Sequence, residues 1–168
     1  LLRLTQLWRA YNAKAANGQY RIGNINAAFG QGPLQSPSVF NFFSPFYAPP
    51  GEIADQGLVA PELQLATEYL NTTVTNTFYN TIFFRNSTSA NVPPEGVVID
   101  ITQEVALAAD SEALVNRIAD KLLGGQISPT LKAEAKAAVE RTAATNTGQR
   151  VAEAMYLVAT SPEYVVQR

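Results

Sequence analysis

Apolar residues in the first stretch of the chain recur at three- and four-residue intervals, and Leu1, Leu4, Leu7, Trp8 and Tyr11 make one stripe that predicts a helix to about Ala16. Asn17-Gly18 stops it, because glycine takes the left-handed conformation after a helix without a Cβ penalty. A short helical turn is expected from Asn24 to Phe29, capped by Asn24. The helical period returns at Pro61, where Leu63, Ala66, Leu70, Val74, Phe78 and Ile82 predict the longest helix, running to about Phe84. Its opposite face carries Thr72, Thr73, Asn76 and Asn80, polar but uncharged. Asn86 to Gly96 has no period and reads as a linker. Val97 to Ile101 reads as an extended loop or a short strand with no visible partner. Three helices follow: one capped by Ser111 and ended by Gly124-Gly125, one begun by Ser128-Pro129, and one after Thr147-Gly148 with Val151, Ala154, Met155 and Val158 inward. Ser161-Pro162-Glu163 starts a last turn through Tyr164, Val165 and Val166.

Between the first helical pattern and Pro61 no period holds. Six of the ten prolines and five of the eight phenylalanines lie between Phe29 and Glu68, so backbone restriction and aromatic area coincide. This predicts an irregular but packed loop, with Phe40, Phe42, Phe43, Phe46 and Tyr47 in the core. A sugar-stacking or peptide-groove role for these rings is the lesser reading. Ser36-Pro37 and Ser44-Pro45 bracket a stretch expected to form a one- or two-turn helix, Ser38 to Phe43, and a further turn is expected at Glu52 to Gln56, closed by Gly57. The side chain of Asn41 is expected to bond local backbone among apolar neighbours. Pro37, Phe40, Asn41, Phe43, Pro61 and Pro162 are therefore read as structural.

The resulting fold class is mostly α: a proline- and phenylalanine-rich packed loop, one long helix, then a small C-terminal helical bundle. Residues 1–85 hold helix, loop and long helix, 86–110 the linker or extended segment, and 111–168 the bundle, and the sequence is expected to be a piece of a longer protein.

Charge and composition narrow the chemistry. A net charge of −2 with 15% charged residues provides no basic footprint for nucleic acid or anionic lipid. No apolar run reaches the roughly 18 residues that span a bilayer. The sequence has no Cys and no His, which removes thiolate nucleophiles, Ser-His pairs, haem ligation by His and the usual zinc sites from this chain. No metal or cofactor is expected. Absent cysteine fits an exported protein, periplasmic or extracellular.

Gly30-Gln31, Pro33-Leu34, Pro37 to Phe43, Ser161 to Tyr164 and Gln167-Arg168 carry a resemblance that covers most of the chain. In these motifs the sequence resembles the C-terminal part of the bacterial DUF1800 family. The resemblance implies a long, mainly helical, often exported parent, of which this is the final third or so, and it transfers no catalytic residues. Phe46 departs from the family, which often has Asp there.

The carboxylates near the centre are Glu52, Asp55, Glu62 and Glu68. A glycosidase needs two carboxyl groups about 5 to 10 Å apart across a bond. Glu62 and Glu68 reach that distance along one helix but point to nearly opposite faces, so helix-start electrostatics explains Glu62 better and an ion pair explains Glu68. Arg150, Glu163 and Arg168 read as helix capping and surface pairing, with an Arg168 carboxylate clamp as a lesser reading. The functional expectation is an interaction or scaffold module without its own active site, docking the N-terminal portion of its parent or another exported protein. The alternative is part of a polysaccharide hydrolase using Glu62 or Glu68, or a glycan-binding protein using Thr72, Thr73, Asn76 and Asn80.

Overall fold

The stripe at the start of the chain ends as a helix sooner than its period allows. In the computed structural model, which describes residues 1–92 and 96–165, α1 spans Leu2–Ala10. Asn12 takes φ 45°, its N–H bonds the Arg9 carbonyl at 3.3 Å, and the Ala13 N–H bonds the Trp8 carbonyl at 2.8 Å. This is a Schellman closure with Asn in the glycine position, which asparagine tolerates better than most residues. The expected helix to Ala16 therefore fails at Asn12. Freed from it, β1 (Lys14–Ala15) pairs antiparallel with β2 (Val97–Val98), Lys14 opposite Val98. The extended segment has a partner after all.

The described residues fall into two compact units, Ile22–Thr77 with Leu1, and Leu2–Arg21 with residues 78–165. The second unit holds α1, the two-stranded sheet and a helical bundle: α5 (Thr102–Ala106), α6 (Ser111–Leu123), α7 (Pro129–Arg141), α8 (Thr147–Thr160) and α9 (Pro162–Val165). α8 packs against α5, α6, α7 and α9, which is why Val151, Ala154, Met155 and Val158 are all buried. Leu114, Val115 and Ile118 of α6 and Ala135 and Val139 of α7 complete this core, with Leu4 and Leu7 from α1 and Tyr11 just after it.

Start signals are where the bundle refines the sequence reading. Ser128 caps α7 as expected, accepting the Leu131 N–H at 3.2 Å. The cap of α6 is Asp110, not Ser111: its side chain accepts the Ala113 N–H at 3.0 Å, while Ser111 bonds Glu140. Asn146 caps α8, so Thr147-Gly148 begins that helix and does not merely precede it. Arg150 is buried, and its Nε donates to the Val139 carbonyl at 3.0 Å. It caps the end of α7 from inside the bundle, which removes it from any surface pairing. Glu163 caps the other end of α7, accepting the Ser128 N–H at 3.0 Å. The expected linker begins with a buried residue: Asn86 donates to the Ile82 carbonyl at 2.7 Å and accepts the Thr88 N–H at 2.9 Å. Val166, Gln167 and Arg168 lie outside the described residues, as do Pro93 to Glu95 of the linker.

The first unit holds α2 (Ile25–Phe29), α3 (Glu52–Asp55), a 3-10 turn at Pro61–Leu65 and the beginning of α4 (Glu68–Phe84). Asn24 caps α2 as expected. Gly30 closes it at φ 68°, a left-handed conformation that favours glycine, and a Cβ there would also push against the end of the Leu70 side chain. The single long helix expected from Pro61 is broken: Ala66 leaves helical geometry at ψ 54°, and the Thr67 hydroxyl accepts the Leu70 N–H at 3.2 Å to start α4 afresh. The chain is mostly α, with nine α-helices and one two-stranded sheet among the described residues. No helix among them is long and apolar enough to cross a membrane.

Candidate functional site

The loop between α2 and α3 is held by turns and not by packing. Ser36-Pro37 does not start a helix. Asn41 takes φ 74° and its N–H bonds the Ser38 carbonyl at 3.2 Å, while the Ser38 hydroxyl accepts the Phe40 N–H at 3.1 Å. The result is a tight turn with Val39 and Phe40 at its tip. Asn41 is exposed, and it is its backbone, in the left-handed region asparagine tolerates, that shapes the turn. Farther on, the Ser44 N–H bonds the Gln64 side chain at 2.8 Å and the Ala60 N–H bonds the Tyr47 carbonyl at 2.8 Å. These bonds hold residues 44–47 beside 60–64.

The consequence is an uncovered apolar surface. Val39 is 95% exposed, Phe46 83% and Phe40 66%, and Leu34, Leu58, Val59, Leu63 and Tyr69 are exposed as well. Phe42, Phe43 and Tyr47 are only half-buried. Against these eight exposed large side chains, Phe29 is the one hydrophobic residue of Ile22–Thr77 that is fully buried. The expected aromatic core of the loop is thus not formed, since Ile22–Thr77 supplies no second layer over the rings. A further property sets this surface apart: between Ile22 and Gly51 there is no Asp, Glu, Lys or Arg. Aromatic enrichment with charge depletion is the composition found at the centres of protein interfaces, and exposed apolar patches of this kind mark interaction sites.

The residues singled out by sequence for chemistry do not converge. Glu62 sits in the 3-10 turn and Glu68 opens α4. Both are exposed, the break at Ala66 separates their elements, and neither forms a salt bridge among the described residues. The threonines of α4 turn their hydroxyls back onto its own backbone. Thr72 donates to the Glu68 carbonyl at 2.9 Å, Thr77 to the Thr73 carbonyl at 2.8 Å, and Thr75 to the Asn71 carbonyl. Thr73 reaches both Leu70 and Ala28 carbonyls at 3.2 Å and ties α4 to α2. These hydroxyls are donors to backbone. Asn76 and Asn80 remain exposed. Pro61 begins its turn and Pro162 begins α9. Sequence reasoning missed Val39, Leu58 and Val59 as surface residues. The charge-free run from Ile22 to Gly51 was the available signal for Val39, while Leu58 and Val59 lie beyond it.

A family model described as "Protein of unknown function (DUF1800)" matches residues 1–166. No curated protein and no solved structure matches the chain.

Proposed function

The chain belongs to the DUF1800 family, a membership that carries no activity with it, and from the geometry we propose that it is an interaction or scaffold module of an exported bacterial protein. Its proline- and phenylalanine-rich surface docks a protein partner that presents an uncharged, apolar face, either from the same parent polypeptide or from another exported protein. The observation that carries this reading is the imbalance in Ile22–Thr77, where eight large apolar side chains are exposed and one is buried. A unit without a core of its own is stabilised when a partner supplies the missing layer, and burying such side chains is worth about 1.5–3 kcal/mol each. The complete absence of cysteine supports an exported setting. The hydrolase reading draws no support from the placement of Glu62 and Glu68.

The test is site-specific photo-crosslinking in cells. A benzophenone side chain at Phe40 or Phe46 is expected to give a discrete protein adduct, and one at the exposed Glu134 of α7 is not. Repeated in a cell extract, and with no charges on the docking loop, the adduct yield is expected to hold between about 50 mM and 0.5 M salt. A folded protein that gives no adduct at either phenylalanine, or an adduct abolished by salt, overturns the reading.

A further inference from the structure

A separate groove lies wholly within the second unit, between the end of α4 and the beginning of α8, with a volume of about 490 Å³, inside the range of about 300–1,000 Å³ of small-ligand sites. Its floor is aromatic. Tyr79 and Phe83, one helical turn apart on α4, have ring centroids 4.6 Å apart, and Tyr156 of α8 meets them edge-on at 5.7 and 5.8 Å. Phe84 joins the cluster through Tyr79 at 5.6 Å. Two of the four rings, Tyr79 and Phe84, are exposed. Beside them Asn146, Gln149 and Glu153 follow one another along α8 on the face that Tyr156 continues.

The formal side-chain charge of this groove is of one sign. No Lys or Arg among the described residues lines it, and Glu153 is its one formally charged group. Glu153 has no cationic partner there; the contact its carboxylate makes is with Gln149 Nε2, at 3.5 Å. Aromatic ring faces are negative and attract cations, so the rings and the carboxylate act with the same sign. We propose that this groove binds a small alkylammonium cation, seated on the rings of Tyr79, Phe83 and Tyr156 with Glu153 as counter-charge. The alkyl groups of such an ion bury against the rings while its charge is met by ring faces and carboxylate, which suits a lining of four aromatic and six polar residues. This site is independent of the apolar surface on Ile22–Thr77.

The experiment titrates the full chain with choline chloride, with sodium chloride as the ionic-strength control, following aromatic side-chain resonances by NMR. The parallel titration uses the uncharged carbon isostere of choline, in which a tert-butyl group replaces the trimethylammonium. Choline is expected to shift the Tyr79, Phe83 and Tyr156 resonances saturably, and the isostere to bind on the order of tenfold more weakly. Glu153→Gln is expected to weaken choline about fivefold with the aromatic spectrum otherwise unchanged, and Tyr156→Leu on the order of tenfold. Equal binding of choline and its isostere, an unchanged choline affinity in Glu153→Gln, or saturation of the same resonances by cellobiose but not choline overturns the proposal.

Discussion

Lys121 Nζ lies 2.8 Å from Glu104 Oε1, and the carboxylate it meets is completely buried. Arg117 Nε approaches the same oxygen at 3.4 Å, so two cations of α6 hold one carboxylate of α5. Lys121 also sits 4.4 Å from the centroid of the Tyr11 ring, which joins the turn after α1 to the arrangement by a cation–π contact. Breaking a buried pair leaves an uncompensated charge and costs about 3–5 kcal/mol, whereas replacing both partners by apolar groups is often neutral. Arg117 remains in a Lys121→Met variant, so the expected loss is near the lower end, about 3 kcal/mol. Combining it with Glu104→Leu is expected to recover most of that loss. Urea denaturation of the three proteins checks it, and a double variant no better than Lys121→Met would sink the account.

The Tyr11 hydroxyl is buried beside this pair and has no hydrogen-bond partner among the described residues. Burial, and then the nearby Glu104 charge, push its ionisation far above the usual phenol range. The ring is the useful part of the side chain and the oxygen is an unsatisfied cost. Tyr11→Phe keeps the ring under Lys121 and is expected to leave stability unchanged or raise it by up to about 1 kcal/mol. A clear fall in the denaturation midpoint would mean that the hydroxyl is bonded.

The exposed and buried phenylalanines give a direct test of the loop. Phe78 is buried in the second unit and meets Tyr164 edge-on at 6.2 Å. Phe78→Ala is expected to cost about 3–5 kcal/mol, and Phe40→Ala less than about 0.5 kcal/mol. Thermal denaturation distinguishes these values readily. A large loss at Phe40 would restore the packed-loop reading.

That contrast shows what was legible in the sequence. Periodicity located α6, α7 and α8 because each buries a stripe in a shared core, and a stripe is a local property. Capping residues were readable at Asn24 and Ser128 for the same reason. Position 12 was not readable, since the left-handed turn there competes with a stripe that continues through Tyr11 and the choice is made by the pairing of Lys14–Ala15 with Val97–Val98. Aromatic composition alone could not say whether Phe40 and Phe46 face inward, because that depends on whether a second layer exists to cover them. The groove at Tyr79 and Tyr156 needed two helices brought side by side from positions 77 residues apart in sequence.

Glu112 carries the clearest dependence on pH. Hydrogen bonds from Lys132 and Lys136, and their charges, lower its pKa from the ordinary 4.5 to about 2. Lys132 Nζ is 2.6 Å from one carboxylate oxygen and Lys136 bonds the other, linking α6 to α7. A carboxylate whose folded value is depressed adds stability above its unfolded value and loses it as pH falls through the folded one. The contribution is therefore constant from neutral pH down to about 5 and fades between 4.5 and about 2. The site is on the surface, so its share of stability is small and weakens with added salt. The NMR titration of the Glu112 side chain is expected to show a midpoint near 2 at low salt, rising towards 4.5 in Lys132→Met with Lys136→Met. A midpoint near 4.5 in the unmodified chain would show that the two lysines do not hold the carboxylate in solution.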